Sequence, residues 1–90
     1  MNMLKRAIII ESTLEKFGIK GKLTEINLNE TFAQFVVTLD EKFDNKKSPA
    51  LSKTLAKKLK AAGGYVNIQT DLPRKDQIGI EIASYNIYES

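Results

Sequence analysis

The 90-residue sequence contains no cysteine and no histidine, and only two prolines. The missing cysteine removes disulfides, thiolate nucleophiles and thiolate metal sites. The missing histidine removes the commonest proton shuttle near neutral pH and leaves most zinc sites without a ligand. Absence of cysteine also fits a reducing compartment. Long hydrophobic runs are lacking too. The opening MNMLKRAIII places apolar residues after a charge, but Glu11 cuts the run far short of a signal segment or membrane span. The expectation is a cytoplasmic protein with no membrane contact through this segment. A nucleotide loop is absent as well, since it needs Gly, four residues, then Gly-Lys-Ser/Thr so that backbone amides wrap the phosphates. In the nearest stretch, 18-GIKGKL-23, the glycines stand too close and Leu23 has no hydroxyl for magnesium.

What is present suits one small domain over residues 1–90, with 84–90 a tail or the start of a linker. A hydrophobic fraction of 42% builds one core and leaves no room for an enclosed cofactor, so no cofactor and no metal is expected. The net charge of +3 and pI near 9.2 permit nucleic-acid contact without requiring it.

Periodicity predicts helix, hairpin, helix, hairpin. Met3, Ala7, Ile10, Leu14 and Phe17 recur at helical steps over residues 3–17, and Gly18 stands where a left-handed cap belongs. Over 22–28, Thr24, Ile26 and Leu28 alternate onto one face. Over 32–39, Ala33, Phe35, Val37 and Leu39 do the same, across the polar turn Asn29-Glu30-Thr31. Phe43 is the one apolar anchor of the charged connection 40–49. Ser48 and Pro49 read as hydroxyl cap and first helical residue, the stripe Leu51, Leu55, Leu59 and Ala62 follows, and Gly63-Gly64 read as the stop. A second hairpin spans 65–70 and 77–83, with Val66, Ile68, Ile78, Ile80 and Ile82 inward. The segments 13-TLEKFGIK-20 and 54-TLAKKLKA-61 form a faint repeat. Neither hairpin is stable alone, so the expected fold class is α+β. Its form is a two-layer αββαββ domain with a mostly antiparallel four-stranded sheet and both helices on one face.

No residue pattern points to catalysis. Glu81, between Ile80 and Ile82, reads as an exposed strand residue, because a working acid needs burial or a titrating partner to tune it. The stretch 18-GIKG-21 matches the backbone-clamping GXXG loop in letters only, since that loop joins two helices and here a strand pattern follows. The basic residues say more. Lys53, Lys57 and Lys60 lie opposite the leucine stripe, Lys42, Lys46 and Lys47 precede it, and Glu41 and Asp44 offset them. Such a patch is either a solvated helix face or a phosphate-binding surface that reads no sequence. No arginine or aromatic interleaves with it, so base readout and stacking have no support. The tip of the last hairpin adds Arg74 and Lys75.

From about Leu14 to Ile82 the chain resembles the α domain of the FtsK/SpoIIIE family of DNA translocases. The resemblance rests on 14-LEKFGI-19, 51-LSKTLAKKL-59 and 64-GYVNIQTDLPRKDQIGIEI-82, with Pro73, Lys75, Ile78, Gly79, Glu81 and Ile82 at the family's places. Departures are Asn29-Glu30 for Gly-Pro in the first turn, Arg74 for a glycine, and Ala83-Ser84 for Pro-Asn. The resemblance implies a non-catalytic domain that assists ring assembly and guides double-stranded DNA beside an ATPase motor, which carries the nucleotide site. It implies backbone phosphates, self-association or a motor domain as partners. DNA-contact candidates are Lys46, Lys47, Lys53, Lys57, Lys60, Arg74 and Lys75. Two other readings stand beside it: a stand-alone basic nucleic-acid-binding module, and a phage- or plasmid-type protein-interaction domain.

Overall fold

The computed structural model describes residues 2–83, and the expected tail 84–90 lies outside them. Helix α1 (Met3–Lys16) starts at Asn2, whose side chain accepts from the Lys5 amide. It ends as the sequence predicts. Gly18 adopts φ 72°, and the amides of Gly18 and Ile19 close onto the carbonyls of Glu15 and Leu14. Strand β1 (Gly21–Leu28) follows, then β2 (Phe32–Leu39). Asn29 builds the turn between them, its Oδ1 accepting from the amides of Thr31 and Phe32.

Helix α2 (Ser48–Lys58) differs from expectation at both ends. Ser48 is already helical and makes no cap. The chain enters through a 3-10 turn, Asn45–Lys47, capped by the Asp44 carboxylate on the Lys46 amide. The helix stops four residues before Ala62. Lys60 takes the left-handed conformation (φ 51°), and the amides of Lys60 and Ala61 bond the carbonyls of Lys57 and Ala56. The two helices therefore end alike, with Lys60 in the place Gly18 holds in α1. Gly63 and Gly64 belong instead to a separate turn, Ala62–Gly64, and the side chain of Ala62 lies outside the described part.

Strands β3 (Val66–Gln69) and β4 (Gln77–Ala83) complete an antiparallel sheet in the order β1-β2-β4-β3. Both helices cover one face. Ile10 and Leu14 of α1 and Leu51, Leu55 and Leu59 on and after α2 meet Phe35, Val37, Ile78, Ile80 and Ile82, all buried, with Phe43 packed at the margin. The α+β architecture is thus the expected one. Two details of the stripes were not foreseen. Arg6 and Thr13 are buried on α1, and burial lowers the Arg6 pKa. In β1 a bulge at Thr24 lies between Leu23 and Glu25. It sends Thr24 to the opposite face, where its hydroxyl meets that of Thr38 at 2.8 Å, while Ile26 pairs with Phe35 on the helix side.

The uncovered face is polar. Asn27 Nδ2 donates to Gln34 Oε1 (2.9 Å), and Gln34 Nε2 donates to Gln69 Oε1 (2.7 Å). This amide chain crosses the sheet directly over Gly79, where a Cβ would stand 2.4 Å from Gln69 Oε1. Farther along, Glu81 accepts from the Tyr65 hydroxyl (2.7 Å), which raises the tyrosine pKa, and Tyr65 packs against Phe32.

Candidate nucleic-acid interface

Basic charge concentrates on one stretch of chain. Between Asp44 and Asp71 there is no acidic residue, while Lys46, Lys47, Lys53, Lys57, Lys58 and Lys60 fall in that interval. Helix α2 carries most of it, because its leucines at steps of four commit one side to the core and leave Lys53 and Lys57 exposed on the other. Lys46 is exposed in the preceding turn.

The seven sequence candidates do not form one surface of equal members. Lys47 is half-buried, and its Nζ donates to the Phe17 carbonyl at 2.9 Å, so it holds the α1 C-terminus against the start of α2. Lys60 stands beyond the end of the helix, not on its face. Arg74 makes a two-pronged pair with Asp76, Nε to Oδ1 at 3.1 Å and Nη2 to Oδ2 at 2.8 Å, which offsets its charge. Lys75 lines a shallow depression of about 130 Å³ together with Lys42, Asn45 and Thr70, next to the turn that carries Lys46. Lys42 and Lys75 thus share a depression beside the turn that leads into α2.

A further pair was not anticipated. The Lys16 amine, at the end of α1, lies beside that of Lys58 at the end of α2. Hydrogen bonding to Lys16 and like-charge repulsion from it, with some burial, lower the Lys58 pKa. Lys58 was visible in the acid-free run of sequence. Lys16 was not, because only the packing of α1 on α2 joins them. No group of His, Cys, Asp and Glu among the described residues is arranged to hold a metal ion. No helix among them is long and apolar enough to cross a membrane.

The family described as the FtsK alpha domain matches residues 1–84. The chain is 32% identical over 78 residues to the DNA translocase FtsK of Listeria monocytogenes, a match covering 87% of this chain and 10% of that protein. It is 30% identical over 86 residues to the DNA translocase SpoIIIE of Bacillus subtilis, covering 96% of this chain and 11% of that protein. The chain spans about a tenth of the length of these curated relatives. A match over nearly the whole chain, on a fold of two helices over a four-stranded antiparallel sheet, leads to one assignment: the chain belongs to the FtsK alpha domain family.

Proposed function

We propose that this chain is a non-catalytic domain that guides double-stranded DNA and assists ring assembly beside an ATP-driven motor of the FtsK/SpoIIIE kind. One observation carries the reading. The exposed side of α2 and its entry turn present Lys46, Lys53 and Lys57 with no acidic residue between Asp44 and Asp71 to neutralise them. Lysines on a rigid helix act as point charges on phosphate, and they suit sequence-indifferent contact with a backbone that moves past. Lys16 and Lys58, whose amines lie close together at the ends of the two helices, add further basic groups. The chemistry of ATP hydrolysis lies with the motor. Calorimetry on the 90-residue chain is expected to give no heat of ATP binding, and micromolar affinity would overturn the non-catalytic assignment.

Fluorescence anisotropy with a duplex of arbitrary sequence tests the DNA role. The expected Kd is about 10⁻⁴–10⁻⁶ M near physiological salt, equal for unrelated sequences. Lys53→Gln with Lys57→Gln is expected to lower the salt slope by about two, one for each lost phosphate contact. Replacing Arg74 and Lys75 separates the two roles: a hairpin tip that contacts a neighbouring subunit alters assembly and spares duplex affinity, whereas one that contacts phosphate weakens duplex binding. A parent chain that binds no duplex even at low salt would remove the DNA-guiding role.

A further inference from the structure

A hollow of about 130 Å³ lies where the exit of β2, the start of β4 and the entry to α2 meet. Three separate pieces of chain line it. Lys42, Phe43 and Asn45 come from the connection after β2, Thr70 from the end of β3, and Lys75 and Ile78 from the hairpin tip and β4. Two contacts hold these pieces in register. The Leu39 amide donates to the Asp76 carbonyl at 2.7 Å, which ties the end of β2 to the hairpin tip. Phe43 packs against the core and so anchors the connection that carries Lys42 and Asn45.

The neighbouring acids are engaged elsewhere. Both Asp76 oxygens accept from Arg74, and the Asp44 carboxylate accepts from the Lys46 amide. Neither lines the hollow, nor does any other carboxylate. Lys42 and Lys75 pair with no carboxylate among the described residues. The same two lysines also border a wider depression, but Asp40, Glu41 and Asp76 line that one and would repel an anion.

Two ammonium groups in one hollow call for an anion. Each offers three donors as a point charge, and Asn45 and Thr70 add neutral hydrogen-bonding groups. These residue types are the ones that hold phosphate oxygens. The volume equals that of about four waters, room for one tetrahedral phosphate group. Phe43 and Ile78 bring apolar surface to the lining, which lowers the local dielectric and strengthens the attraction.

We infer that this hollow seats one phosphate of the DNA backbone, gripped by Lys42 and Lys75, with Asn45 and Thr70 completing its hydrogen bonds. The inference rests on the DNA-guiding role proposed above. It adds a place for one contact and a residue outside the sequence candidates, Lys42. It also divides the hairpin tip: Lys75 meets phosphate, while Arg74 keeps Asp76 occupied.

Duplex anisotropy over a salt series, with an amide NMR titration of the same chain by inorganic phosphate, tests it. Lys42→Gln and Lys75→Gln are each expected to lower the salt slope by up to about one. The double variant should also lose only about one, because both amines serve a single phosphate. Lys5→Gln, at the start of α1, makes the same charge change and is expected to leave the slope unaltered. Inorganic phosphate is expected to shift the Asn45, Thr70 and Lys75 amides saturably, whereas chloride at equal ionic strength does not. Thr70→Val changes no charge, and it is expected to weaken that phosphate binding about two- to tenfold. A parent that binds duplex and keeps its slope in the double variant overturns this inference and leaves the DNA role standing. A slope loss of about two would put the lysines on separate phosphates and overturn the shared seat. A parent that binds no duplex overturns the DNA role and the DNA source together. Shifts by inorganic phosphate would then assign the hollow to a free phosphate.

Discussion

Leu55→Ala is expected to destabilise the fold by about 2–5 kcal/mol, the range for a buried leucine whose cavity cannot collapse. Leu55 is fully buried in the core cluster, near the middle of α2, where it joins the helix layer to the sheet. The sheet below cannot follow the lost methyl groups. Phe35 and Ile80 are paired with a strand on each side, and Ile78 with Val37, so the ladders hold them in place. Two positions further, Lys57→Ala on the exposed side is expected to change stability by less than about 0.5 kcal/mol. Urea midpoints separate the two outcomes, and equal losses would mean that α2 is turned the wrong way.

Gly21→Ala is the second large effect, about 1–3 kcal/mol of destabilisation. A Cβ at Gly21 would lie 2.6 Å from the Thr38 carbonyl oxygen and 2.9 Å from Leu39 Cδ2. The first of these is backbone inside the β1–β2 ladder, where Gly21 pairs with Leu39, so relief requires moving a strand. Gly79 supplies the comparison. The Cβ of Gly79→Ala would meet the end of the Gln69 side chain, which can swing aside at the cost of its bond to Gln34. That loss is about 1 kcal/mol, partly offset by reduced freedom of the unfolded chain. Thermal unfolding should therefore rank Gly21→Ala well below Gly79→Ala. The reverse order would mean that the amide chain over Gly79 is worth more than the close approach of β1 to β2. Gly21 also accounts for the last letter of 18-GIKG-21, since the close approach of β1 to β2 requires a glycine there.

Much of this fold was legible because both periods are clean. The alternation of Phe35 and Val37, and of Ile78, Ile80 and Ile82, named the buried sheet face, and the leucines of α2 named the helix face that meets it. The errors fall where geometry depends on something other than pattern. A single extra residue at Thr24 leaves no trace in an alternating string, yet it changes which side chains share a face. Propensity places the end of α2 at Gly63-Gly64, but Lys60 adopts the left-handed turn, and the amides of Lys60 and Ala61 close onto the Lys57 and Ala56 carbonyls earlier. The basic site was legible as composition and illegible as arrangement. Lys47 counted as surface charge until α1 packed close enough for its amine to bond Phe17, and Arg74 until the hairpin tip folded Asp76 against it.

The strand order β1-β2-β4-β3 has a kinetic consequence. Each half of the chain, helix plus hairpin, is built from near neighbours in sequence, whereas the sheet is continuous only through the seam where β2 meets β4. Thr38 pairs there with Gln77 and Phe32 with Ala83, so closing the seam joins positions roughly 40–50 residues apart. Local hairpins form in microseconds, and the long loop closure follows more slowly. Closing this seam, where Val37 and Ile78 face each other, is therefore expected to be the step that loop-closure entropy opposes most.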